Sequence, residues 1–140
     1  MRRVTDSAEI AKIAAGAEAA RIGDVTPSRI ASLASPENVI LVDDATGACA
    51  VFEHEGGGIY DLHWVCTGRG AGKLLALKRM VRALFTDYGG CGIYGFISRD
   101  NRAARVVARW LGGTFGGAYT DAAGHQLAVY AQTKEQNART

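Results

Sequence analysis

Apolar positions recur at helical spacing from Leu74 through Leu75, Leu77, Val81, Leu84 and Phe85. This predicts an amphipathic helix of about four turns, stopped by Gly89-Gly90. A shorter helix is expected near the start. Asp6-x-x-Glu9 forms a capping-box pattern ahead of Ile10, Ile13, Ala14 and Ala17. Thr26-Pro27 opens a second helical stretch reaching about Ser35, with proline in the first turn, where its missing N–H does no harm. Runs of β-forming residues then follow. Asn38–Val42 and Gly47–Glu53 flank Asp43-Asp44-Ala45-Thr46 as a hairpin, and Gly56-Gly57-Gly58 turns the chain into a strand from Ile59 to about Val65. After the long helix come a strand at Ile93–Ser98, a helix at Asn101–Leu111 with Asp100 as its N-cap, and a closing hairpin of Thr114–Tyr119 with Gln126–Ala131. A short first strand at Arg2–Val4 completes the order β-α-α-β-β-β-α-β-α-β-β.

Strands in a run followed by β-α-β-α-β predict one α/β domain with a mixed sheet and helices on both faces. The domain is expected to span residues 1–132, and the polar stretch 133–140 is expected to be a frayed tail.

Composition narrows the function. The 140 residues are 48% hydrophobic and 21% charged, ordinary for a soluble domain. Charges break every apolar run well before the ~20 residues that cross a bilayer. Met1-Arg2-Arg3 leads into Thr5-Asp6-Ser7, so no secretory signal is expected. Cys49, Cys66 and Cys91 form no Cys-x-x-Cys pair. They read as reduced, buried small hydrophobes of a cytoplasmic protein, without a metal site. The net charge of +2 divides into −5 over residues 1–66 and +7 over residues 67–140. The second half is therefore expected to meet a phosphate-bearing small molecule or a nucleic acid.

The anion site is expected at Thr67-Gly68-Arg69-Gly70-Ala71-Gly72-Lys73, between a predicted strand and a predicted helix. The first N–H groups of a helix are unpaired and lie at its positive pole, and glycines let a phosphate approach the backbone. Two familiar loops fail here. A Walker loop, G-x-x-x-x-G-K-(S/T), would need glycine where Thr67 stands and a hydroxyl where Leu74 stands. A dinucleotide fingerprint, G-x-G-x-x-G, meets Lys73 at its last position.

The loop resembles the (R/Q)-x-x-G-x-(G/A) motif of the GNAT (GCN5-related N-acetyltransferase) family, with Thr67 at the leading position and Gly70 and Gly72 as its glycines. Asn101-Arg102-Ala103-Ala104 and Leu111-Gly112-Gly113 are similar to the family's N-x-x-A and L-G-F, with Gly113 in place of Phe. The Asn101–Arg105 run and the short loops are also similar to small phage-encoded members. The resemblance implies the GNAT acyl-CoA N-acyltransferase fold, with a mostly antiparallel sheet and acetyl-coenzyme A as cosubstrate. It implies that backbone N–H groups around Gly68, Arg69, Gly70, Ala71, Gly72 and Lys73 bind the pyrophosphate. Asn101 would bond the pantetheine arm or its phosphate. Leu62, His63 and Trp64 would pair with the pantetheine as a strand would, leaving a backbone N–H for the thioester oxygen.

Arg102, Arg105 and Arg109 share a helix face, to be read as a solvated stripe, as contacts to coenzyme A phosphates through Arg105 or Arg102, or as a nucleic-acid surface. The near-zero net charge disfavours the last.

Catalysis needs a neutral amine, and an amine of pKa about 10.4 costs about 4.6 kcal/mol to deprotonate at pH 7. The family's usual Glu and Tyr fall at Phe96 and Ala108, so that pair is absent. His63 is proposed as base, with Asp61 on the same strand face. Glu53 and His54 lie on the preceding strand, and Tyr60, Tyr94 and Tyr119 are candidate proton donors, Tyr119 foremost. Trp64 and Trp110 read as core or cofactor-wall residues. The resulting expectation is acyl transfer to an amine on a small molecule or protein, without membrane or nucleic-acid partners. Whether two copies pair as a homodimer is left open. The rival reading is a catalytically silent module that binds coenzyme A or a protein partner.

Overall fold

Alternation along the strands determines which side of the sheet each core occupies. Ala48, Ala50 and Phe52 pack on one face with Leu77, Met80, Leu84 and Phe85. Cys49 and Val51 pack on the other with Ile10, Ala14 and Leu33. The computed structural model describes residues 1–16, 27–65 and 70–140. Ala17, Thr26, Cys66, Thr67, Gly68 and Arg69 lie outside the described residues.

The elements run β1 (Arg2–Arg3), α1 (Ser7–Gly16), α2 (Pro27–Leu33), β2 (Val39–Asp43), β3 (Ala48–Gly56), β4 (Ile59–Val65), α3 (Ala71–Asp87), β5 (Gly92–Ser98), α4 (Arg102–Trp110), β6 (Thr114–Thr120), β7 (Gln126–Thr133) and α5 (Lys134–Ala138). The strands form a seven-stranded sheet in the order β1-β2-β3-β4-β5-β7-β6. Every neighbouring pair is antiparallel except β4 with β5. Helices α1 and α2 lie on one face, and α3 and α4 on the other.

Helix α3 buries Leu77, Met80, Val81, Leu84 and Phe85 at i, i+3, i+4, i+7 and i+8; Met80 joins the predicted positions, and Leu75 is 50% exposed. Each such side chain removed from water stabilises the fold by about 1.5–3 kcal/mol. Gly89 and Gly90 end the helix, and a Cβ at Gly90 would stand 2.9 Å from Leu84 Cγ. At the other end of the chain, Glu9 N–H donates to Asp6 Oδ2 at 3.2 Å. The Glu9 carboxylate does not close the capping box; it meets Arg2, which also bonds Asp44.

Further expectations need correction. Asn101, not Asp100, caps α4, because its Oδ1 accepts the Ala104 N–H at 3.0 Å. Residues 133–140 do not fray. Thr133 and Gln136 form a capping box for α5, and Asn137 is buried against Gln132, whose Nε2 donates to Leu111 O at 3.2 Å. Of the two readings of Trp110, core or cofactor wall, the first falls: it is 42% exposed, with Lys78 Nζ 4.8 Å from its ring centroid. Cys49 is buried as expected, but Cys91 is exposed.

Candidate functional site

The parallel strands β4 and β5 pair only at Ile59–Gly92, Tyr60–Ile93 and Asp61–Tyr94. Each is held on its far side along its length, β4 by β3 up to Val65 and β5 by β7 up to Ser98. Past Asp61 and Tyr94, no pairing joins them among the described residues. The strands splay, and the inner backbone edge of Leu62–Trp64 faces a wedge. Gly95 lies at its apex, where an added Cβ would stand 3.5 Å from Leu62 O. The wedge belongs to a cavity of about 810 Å³ lined by Leu62, Trp64, Ile97, Ala108, Leu111 and Tyr130, among others. Trp64 bridges the core under α3 and the smaller one under α4.

After β4, the chain reaches α3 through Gly70, whose φ of 148° and ψ of 143° suit a residue without Cβ. No side chain caps α3 among the described residues. Lys73 N–H is taken by Gly70 O at 3.2 Å, and Gly70, Ala71 and Gly72 are exposed. Among the described residues nothing takes the N–H groups of Ala71 and Gly72, which open a 17-residue helix at its positive pole. On α4, Asn101 spends its side-chain oxygen on the cap, leaving its amide nitrogen as the group for a ligand. Arg105 is half-buried, and its Nε is buried without a hydrogen-bond partner among the described residues. Arg102 and Arg109 are exposed. An open strand edge, an uncapped helix start and an orphaned guanidinium nitrogen fit a phosphate-bearing ligand with an extended arm, as coenzyme A is. Asn101→Ala is expected to cost about 0.5–2 kcal/mol through loss of the cap, read by urea unfolding without ligand.

On the opposite face, strand register sets Glu53, Asp61 and Tyr94 in one row across three strands. His63 stands one alternation further along. Its Nε2 lies 3.1 Å from Glu53 Oε1 and 3.5 Å from Asp61 Oδ2, with all three side chains less than one-fifth exposed. Burial, reinforced by the charges of Asp61, Glu55 and Glu53, pushes the Tyr94 phenol up to about 12. The ordinary value is 10.0, so above it the unfolded chain releases this proton while the folded chain keeps it. That contribution to stability is complete below pH 10 and is lost as pH rises towards about 12. Tyr94→Phe is expected to flatten this loss, measured as unfolding midpoints across that window.

The structure thus joins Asp61 and His63 with Glu53, the candidate on the preceding strand, which the β3–β4 register sets beside them. It separates the other candidates. Tyr60 is buried on the α3 face against His54, with ring centroids 5.1 Å apart. Tyr119 lies on β6, half-exposed, 5.4 Å from the Phe96 ring. Tyr94 is the phenol in register with Asp61.

No protein-family model and no curated protein matches the chain. Solved structures do. A point mutant of the spermidine N-acetyltransferase SpeG from Vibrio cholerae superposes with a TM-score of 0.75 at 10% identity, over 97% of this chain and 95% of that one. The same enzyme in complex with manganese ions gives 0.75 at 10% identity, over 99% and 94%. An acetyltransferase of the GNAT family from Bacillus anthracis gives 0.62 at 15% identity, over 94% and 84%. The chain has the GNAT acetyltransferase fold.

Proposed function

We propose that the chain transfers an acyl group, acetyl in the simplest case, from acyl-coenzyme A to an amine. The observation that carries this is the β4–β5 wedge with an uncapped α3 start at the end of β4. Backbone groups of Leu62, His63 and Trp64 would bond the pantetheine arm as an added strand. The α3 start from Gly70 to Lys73, with Gly68 and Arg69 before it, would hold the pyrophosphate, and Asn101 and Arg105 would hold the arm and a phosphate. Bound acetyl-coenzyme A supplies the activated thioester.

The remaining work falls to the β4 backbone and to side chains on the opposite face. A β4 N–H donates to the thioester oxygen as charge builds there. His63 takes the proton of the attacking amine, directly or through a water. Glu53 and Asp61 orient its ring and stabilise the imidazolium that results. Tyr94, still protonated at neutral pH, would give a proton to the leaving thiolate and regain one from the His63 imidazolium, directly or through water. Thiol release from acetyl-coenzyme A with a panel of primary amines tests the reading: amine-dependent release supports it, and its absence across the panel refutes it.

A second reading has its own support. Phe96 and Ala108 fill the positions of the family's Glu and Tyr, and Phe96 is 45% exposed at the cavity. A silent module would bind coenzyme A in calorimetric titration and release no thiol with any amine.

A further inference from the structure

Charge divides between the two sides of the wedge. Strands β3, β4 and β5 contain no lysine or arginine. Their α1-side face presents Glu53, Glu55 and Asp61, with His63 as its basic group. Two aromatic rings complete this mouth, Tyr94 and Phe96, set edge to face with centroids 5.6 Å apart. Asp61, His63, Tyr94 and Phe96 all line the cavity. His63 and Phe96 flank the opening; Glu53, Asp61 and Tyr94 form the row behind it.

We infer that this mouth selects an aliphatic amine carrying a second positive charge and rejects amines that carry a carboxylate. The inference rests on the acyl-transfer reading above. The reacting nitrogen must be neutral when it attacks, so carboxylates cannot hold it through the reaction as an ammonium. Carboxylates at the mouth discriminate best through a charge elsewhere on the acceptor. Aromatic rings add to that preference, since a ring face attracts cations through its quadrupole. The charges of Asp61, Glu55 and Glu53 also act on the Tyr94 hydroxyl, so their field reaches the groups at the wedge. A carboxylate brought there meets like charge.

Three acceptors of one chain length separate the terms: 1,4-diaminobutane, 1-aminobutane and 4-aminobutanoate share the reacting amine and differ at the far end. The diamine is expected to exceed the monoamine at least tenfold in kcat/KM, and 4-aminobutanoate to fall below both. Glu55→Lys, at an exposed position, is expected to lower the diamine-to-monoamine ratio at least tenfold. Equal use of diamine and monoamine, or an unmoved ratio in Glu55→Lys, overturns the inference. If none of the three is acylated although coenzyme A binds, the catalytic reading has failed. Titration of the coenzyme A complex then decides the inference: it stands if 1,4-diaminobutane binds at least tenfold tighter than 4-aminobutanoate, and falls otherwise.

Discussion

His63→Ala lowers kcat/KM for a lysine-like amine at pH 7 on the order of 100-fold, within the range of a positioned general base. The size follows from the acceptor. An amine of pKa about 10.4 must be deprotonated at a cost of about 4.6 kcal/mol at pH 7 and about 1.9 at pH 9. The deficit of the variant should therefore shrink as pH rises, and be smaller for an α-amine of pKa about 8. Coenzyme A affinity should stay near that of the native protein, because the His63 side chain points away from Leu62 and Trp64, which face the α3 core. An unchanged kcat/KM at pH 7 removes His63 from the mechanism.

Gly70→Val weakens coenzyme A binding at least tenfold, about 1.4 kcal/mol. At φ 148° a β-branched residue is strained, although a Cβ at Gly70 meets no atom within 4 Å. Strain at such positions is on the order of 1–3 kcal/mol, and relieving it reorients the N–H groups that open α3. Gly57→Val is the control. Gly57 has φ 61°, an equally open surrounding, and a place in the β3–β4 turn at the opposite end of β4. It should lose stability on thermal unfolding while retaining coenzyme A affinity. Equal loss of affinity in both variants would assign the effect to general destabilisation.

Local pattern made most of the elements legible. The Leu77-to-Phe85 stripe specified α3, and Asp43 to Gly47 specified the β2–β3 turn, where Thr46 Oγ1 bonds Asp43 Oδ2 at 2.6 Å and Gly47 takes φ 76°. Helix α5 was not legible, because its buried contacts are amides, Asn137 on Gln132, and no apolar period marks them. Asp100 and Asn101 are both good caps by type, and only backbone geometry decides between them. Alternation predicted the shared face of Asp61 and His63. Glu53 joins through cross-strand register, and Tyr94 through the single parallel pairing, neither of which a strand's own sequence records. The wedge is likewise a property of two strands that part.

The central claim is that coenzyme A lies in this wedge with its phosphates at the start of α3. Amide NMR spectra recorded while coenzyme A is added test it directly. Saturable shifts concentrated at the N–H groups of Leu62–Trp64 and Gly70–Lys73, with the Asn101 side-chain amide, are the predicted result. Binding that leaves those signals in place, or no binding at millimolar coenzyme A, contradicts it.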